Sequence, residues 1–351
     1  MTTWLGRACP KVFTCCALIS ATGCQLVFSI DGEAQRDASS IDGGQGPDAN
    51  QGPERLTQDP FAHGLFLTEN YAYVTTSNTA AKNNSISRVD LNTRIASPLS
   101  TGEDAVSQVA TIDDQWVYWT TWAPGTIRAV NTGGVTGAMT LTDVPNGGFA
   151  MVSDGSRILT TEYSGGATYQ LTPNLASNVF DIPEAANGVT NAVLLGNELF
   201  WTNQTEDAAG GVFSIDTSDA MNVQLHALDD NRAWGLAVTP TDLVYSRRGI
   251  PGMPGTSALV RVDRGNANSF ELVSARTEIR GVAIDGAYVY YCEQVPGGSI
   301  WRVALDGTSQ PEELVRGQQY PMYVAVTADF IYWTNFDALS GGLYRAPKPS
   351  P

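Results

Sequence analysis

Three observations predict an all-β fold in which one unit is repeated around a ring. A segment of constant layout recurs seven times, at intervals of 40 to 46 residues counted from Tyr73 through Tyr118, Ile158, Phe200, Val244, Tyr290 and Tyr332. Within each copy, short apolar runs alternate with Gly, Asp and Asn turns, and no stretch carries a helical period. The last copy is one strand short, and the residues ahead of the first copy read like the missing strand. A repeat of this length with four short strands has the size of a propeller blade. The expectation is a seven-bladed β-propeller, with six or eight blades as alternatives, whose ring is closed by the N-terminal strand completing the last blade.

The chain has 351 residues, of which the first 23 have the layout of a secretory signal. Arg7 and Lys11 precede an apolar stretch too short to span a bilayer, ending in "ATGC". Residues 24–53 are rich in Gly, Asp, Ser and Gln and nearly free of large apolar side chains, so they read as a flexible acidic tether. Residues 54–347 are assigned to the propeller and 348–351 to a tail. Loss of the leader removes two basic and no acidic residues from a net charge of −16. Eighteen basic against 36 acidic residues then leave −18, which argues against nucleic acid as a partner. Cys9, Cys15 and Cys16 fall in the leader. Cys292, in the apolar run "VYYCEQ", reads as a buried, inert thiol.

Each copy opens with a small apolar run, a turn, and an aromatic-rich strand, as in "VATIDDQWVYWTT" and "GVAIDGAYVYYCE". A Gly-rich loop and a third strand follow, such as "GTIRAV" or "GSIWRVAL", then a more polar fourth, such as "SFELVSA". The seventh copy stops after "GGLYRAP". "PERLTQDPFAHG", ahead of the first copy, resembles the fourth strand "PEELVRGQQYPMY" of the sixth, and pairing it with the seventh protects an otherwise open edge.

The "VYWT", "GG" and "RVALDG" elements resemble YWTD-like and NHL-like propellers, especially those of bacterial surface lipoproteins, from about Pro53 to Pro347. The "ATGC" end of the leader resembles the lipobox of bacterial lipoproteins, departing from it at Ala21, where Leu is usual. That resemblance implies lipidation at Cys24 and, with Gln25 rather than Asp behind it, an outer-membrane address in the cell envelope. Ordinary cleavage after Gly23, giving a secreted or periplasmic protein, is the alternative.

Residues that recur in every blade are expected to be structural. The second-strand aromatics Tyr118, Trp119, Trp201, Tyr291, Tyr332 and Trp333 suit packing between blades. The third-strand arginines Arg88, Arg128, Arg261, Arg302 and Arg345 suit repeated ion pairs, with Asp90, Asp263 and Asp306 nearby in sequence. A site is expected where the copies differ. Just before the innermost strands stand His63, Gln108, Phe149, Asn191, Trp234, Arg280 and Tyr323, a mixed polar and aromatic set at one mouth of the channel. The loop "SRRGIPGMPGTS" brings Arg247 and Arg248 to the same face, among Glu162, Glu206, Asp207, Glu293 and Asp337.

HExxH, GxSxG and P-loop patterns are missing from the sequence. Only two histidines exist, His63 and His226, on distant segments, a poor match to propeller lyases that use a histidine pair. Calcium held by Asn191 with Glu162 and Glu293, as the resemblance to propeller lactonases would require, is a weaker alternative; no cofactor is otherwise expected. The leading expectation is a tethered, non-catalytic monomer that binds a protein, peptide or glycan through its channel-mouth face. A metal-dependent hydrolase and a purely structural envelope protein are the alternatives.

Overall fold

The computed structural model describes residues 52–349, apart from 81–82, 123, 134–136, 174, 183–187, 205–209, 230–231 and 251. The leader, Cys24, nearly all of the tether, Glu206 and Asp207 lie outside the described residues.

Seven antiparallel four-stranded sheets are formed; six run outward in chain order from an innermost strand, and the seventh does so for three strands and takes its outermost from the N-terminus. The innermost strands are Ala62–Leu67, Val106–Thr111, Gly148–Ser153, Val189–Leu195, Ala233–Val238, Ile279–Asp285 and Pro321–Val326, defining blades 1 to 7. Each packs against the innermost strand of the next blade, and blade 7 meets blade 1, so the ring closes. The strands are short because turn residues interrupt every apolar run. Crowding around the axis selects small side chains there, and Ala237, Ala283 and Ala325 are fully buried.

Closure happens as the sequence implies, through fewer residues than the resemblance between the two segments suggests. Only Glu54–Arg55 form a strand, paired with Gly342–Pro347 so that Glu54 faces Arg345 and Arg55 faces Tyr344. The hold continues beyond it: the Leu56 amide donates to the Leu343 carbonyl (2.7 Å), and the Leu343 amide donates to Thr57 Oγ1 (2.8 Å).

The second-strand aromatics are buried between blades. Trp201, Tyr291 and Trp333 stack on their cross-strand neighbours Phe213, Trp301 and Tyr344. Ion pairs do recur at the third-strand arginines, but their partners differ from the nearby aspartates. Arg128 pairs with Glu103, Arg261 with Asp242, Arg302 with Glu312 and Arg345 with Glu54, while Arg88 lies over the Tyr71 ring. Glu312 and Glu54 stand directly across the ladder from their arginines, and Asp242 is diagonal to Arg261 on the neighbouring strand. Glu103 reaches Arg128 from the outer strand of blade 1, and all four are nearer than an aspartate two places along the same strand. Asp90, Asp263 and Asp306 instead accept backbone N–H groups in their own turns.

A second repeated device ties blade to blade. Thr75, Ser246 and Thr334, at one position of the second strand, accept an amide hydrogen bond from their own innermost strand. Their hydroxyls donate to a carbonyl of the next blade's innermost strand, at Ser107, Arg280 and His63 respectively. Blade 6 has Cys292 at this position, and its thiol lies 4.0 Å from the Gly281 carbonyl oxygen of its own innermost strand. Burial pushes that thiol up to about 12, so it stays protonated and unreactive. Ser246→Ala is therefore expected to lose about 1–3 kcal/mol, because the Gly235 amide and Arg280 carbonyl lose a buried partner. Cys292→Ser should cost less than about 1 kcal/mol, or stabilise, by supplying a missing hydroxyl. Urea unfolding of both variants checks the contrast, and equal losses would contradict it.

Candidate functional site

At one end of every innermost strand the pairing register with the second strand shifts. Such bulges re-aim side chains, here towards the channel. In six blades a larger side chain stands beside a smaller one at this point: His63 with Gly64, Gln108 with Ser107, Phe149 with Ala150, Asn191 with Thr190, Trp234 with Gly235, and Arg280 with Gly281. Blade 7 has two large residues, Met322 and Tyr323. The glycines are required by close approach: a Cβ on Gly235 would lie 2.0 Å from the Arg280 carbonyl oxygen, and one on Gly281 2.6 Å from the Val324 nitrogen.

Six of the seven residues singled out at the mouth meet one another. His63 lies edge-on to Tyr323 (5.5 Å between ring centroids) and to Phe149 (6.5 Å). Phe149 is edge-on to Trp234 (6.0 Å), and Arg280 sits over the Trp234 ring, 3.9 Å from its centroid. Gln108 Nε2 donates to the Tyr323 hydroxyl. Contacts between blades 1 and 3, and between 3 and 5, pass over intervening blades. His63, Gln108, Asn191, Trp234, Arg280 and Tyr323 are all buried, so they form a plug across the channel instead of an open rim.

The plug is electrostatically uneven. Burial, reinforced by Arg280, lowers His63 to about 4, and its Nδ1 lies 3.1 Å from the Ser107 carbonyl oxygen. His63 is thus neutral at ordinary pH. Burial and the neighbouring Arg248 lower Arg280 to about 9. One carboxylate serves both guanidinium groups: Glu278 Oε2 accepts from Arg248 Nε at 2.8 Å and lies 3.9 Å from Arg280 Nε. Arg280 Nε and Nη1, Trp234 Nε1 and Asn191 Oδ1 are buried without a hydrogen-bond partner among the described residues.

Arg247 and Arg248 part company. Arg248 lies over the Trp234 ring (5.3 Å) and belongs to the plug's edge. Arg247 is held away from it by Asp229 and Glu271, both at 2.7 Å. Glu162 and Glu293 are engaged elsewhere, Glu162 by Asn146 and Glu293 by Trp301 and Arg276. Among the described residues no group of three His, Cys, Asp or Glu side chains could hold a metal ion. His226 is on the outer strand of blade 4, beside Ser214 and Glu198 and remote in the fold from His63.

Beside the plug, on the face formed by the second-to-third-strand loops, lies a cleft of about 690 Å³. Its apolar walls are Phe61, Val295, Pro296, Tyr320, Phe336 and Ala338, Thr277, Gln294 and Asp337 add polar groups, and Arg248 and Glu278 stand on the plug side. Phe336 touches His63 (6.0 Å), so cleft and plug are continuous. Ile250, Met253 and Leu339, on the loops around it, are exposed.

The backbone here carries a pattern that sequence reading missed. In six blades the residue leading into the innermost strand is left-handed: Phe61, Gly147, Gly188, Arg232, Glu278 and Tyr320. Blades 3 and 4 use glycine, which adopts this conformation without cost. Phe61, Glu278 and Tyr320 adopt it at φ 56, 50 and 51°, against a penalty of about 1–2 kcal/mol each, and all three line the cleft. Aligning the copies on this position would have exposed the exchange of glycine for large side chains.

No family model and no curated protein matches the chain. Many solved structures do. A catalytically inactive variant of virginiamycin B lyase from Staphylococcus aureus, determined with quinupristin, is 15% identical with TM-score 0.65, over 84% of this chain and 97% of that one. The likeness is one of fold. The extracellular domain of what is described as a hybrid two-component system from B. thetaiotaomicron gives 0.64 at 12% identity, over 86% of this chain and 40% of that one. The computationally designed Ika8 protein gives 0.57 at 13% identity, over 82% and 83%. At such identities the shared property is the propeller itself, and activity does not follow from it.

Proposed function

We propose that this chain is a non-catalytic binding propeller of the cell envelope, tethered through a lipid on Cys24, which holds an apolar segment of a partner protein or peptide in the cleft beside the channel plug. The observation that carries this reading is the left-handed backbone at Phe61, Glu278 and Tyr320. Glycine would relieve the strain at each, as Gly147 and Gly188 do elsewhere in the same ring. Of the four non-glycine residues held this way, Arg232 lies off the cleft and the other three face it together, a grouping that fits a role other than stability. The walls are mostly apolar and the Asp337 carboxylate is spent on its own turn, which favours a peptide over a glycan, since a glycan would call for more hydrogen-bonding groups. A monomer suffices, and no cofactor is part of the proposal.

Tyr320→Gly separates binding from stability. Relief of strain should offset the loss of a ring that is 38% exposed, leaving unfolding within about 1 kcal/mol of the parent. Peptides selected from a random displayed library on the parent protein should bind Tyr320→Gly at least about tenfold more weakly. A variant that is clearly destabilised yet keeps those peptides would overturn the reading.

A further inference from the structure

Among the described residues, the plug holds an excess of positive charge that no carboxylate compensates. Arg248 and Arg280 share the single carboxylate of Glu278, and Arg280 touches it only at 3.9 Å. The Arg280 side chain is 7% exposed, yet two of its nitrogens lack a protein acceptor, as does the indole N–H of Trp234 on which it stacks. Guanidinium groups buried in this way are ordinarily paired, because unmet donors are costly away from water. Other ligands of the plug do not help: His63 and Tyr323 are neutral, and Gln108 spends its amide on Tyr323. Asp337, across the cleft, uses its carboxylate to cap its own turn through the Leu339 and Ser340 amides.

We infer that the cleft's ligand carries a single carboxylate, which seats at the junction of cleft and plug on Arg248, the guanidinium that lines the cleft, and compensates the charge of Arg280 stacked behind it on Trp234, while its apolar residues lie along Phe61, Val295, Tyr320 and Phe336. This rests on the peptide-binding reading above and specifies its chemistry. A carboxylate matches the donors available: a planar acceptor for a planar guanidinium, with one charge to balance the one in excess. The surrounding protein, at a net charge of −16, repels polyanions, so an isolated carboxylate on an apolar segment is selected over an acidic tract. Both a peptide C-terminus and an Asp or Glu side chain offer this group.

The test uses the purified full-length protein and mixed acetyl-tetrapeptide libraries of apolar residues, made as the free acid, as the C-terminal amide, and as the amide with one Glu. Binding is read as the rise in unfolding midpoint with ligand concentration. The free-acid library is expected to raise the midpoint and to act at least about tenfold more strongly than the plain amide, the loss typical of one buried charged partner. Arg280→Gln should remove that preference, Arg280→Lys should retain part of it, and Val295→Arg, which obstructs the cleft, should remove binding altogether. Activity of the Glu-bearing amide equal to that of the free acid would support the carboxylate and assign it to a side chain. Equal binding of acid and plain amide, still abolished by Val295→Arg, would overturn the carboxylate inference and leave the cleft reading standing. No shift with any library would overturn both.

Discussion

Glu278→Gln is expected to lower the unfolding free energy by about 3 kcal/mol, the largest effect of any isosteric change at the site. The substitution keeps the side chain's shape and its left-handed backbone, so only the charge changes. Arg248 loses a 2.8 Å charged hydrogen bond, and Arg280 loses the one carboxylate paired with it among the described residues. Arg280 cannot turn to water, because the plug encloses it on the Trp234 and Tyr323 sides. A buried charge left without its partner costs several kcal/mol, whereas replacing it with an apolar side chain can be neutral or favourable. Glu278→Gln combined with Arg280→Met should therefore recover most of the loss. Urea unfolding followed by circular dichroism measures both. A single-variant loss below about 1 kcal/mol, or a double variant no better than the single, would contradict this account.

Deleting the chain through Thr57 should destabilise the ring by about 3–5 kcal/mol. Four attachments go together: the Leu56 amide to the Leu343 carbonyl, the Leu343 amide to Thr57, the Arg345–Glu54 ion pair, and the Arg55 contact with the Gly341 carbonyl. Arg345 is 5% exposed and would be left buried without its carboxylate. The outer edge of blade 7 would also be opened to other chains. A synthetic peptide of residues 52–60 added in excess should restore part of the lost midpoint, since the attachments are local to that segment. A truncated protein as stable as the parent would mean that closure depends on the packing of blades 1 and 7 alone.

The blades were legible because their signals are short-range and repeated. An apolar run, a turn and an aromatic strand identify one hairpin only weakly. Seven copies at nearly constant spacing make the reading secure. The mouth set could be located for the same reason, by asking where the copies disagree. Arg247 and Arg248 show the limit of that reasoning. Adjacent residues in an extended strand point to opposite faces, and which one faced the channel depended on a bulge and a loop that leave no clear mark on the sequence. Glu278 was overlooked because nothing about it is unusual until its φ of 50° and its two arginine neighbours are known.

By itself, then, the amino-acid sequence determined the repeat, the number of blades, the outward order of the strands and the use of the N-terminal segment to finish the last blade. These follow from hydrogen-bonding periods and turn chemistry that act over a few residues. Tertiary structure alone decided that the mouth is a plug, that third-strand arginines choose partners on neighbouring strands and blades, and that three non-glycine residues accept strain around one cleft. Those outcomes rest on contacts such as Gln108 with Tyr323 and Thr334 with His63, made between segments more than two hundred residues apart. Only closure of the ring brings such groups within reach of one another, and only then do burial and charge determine what each can do.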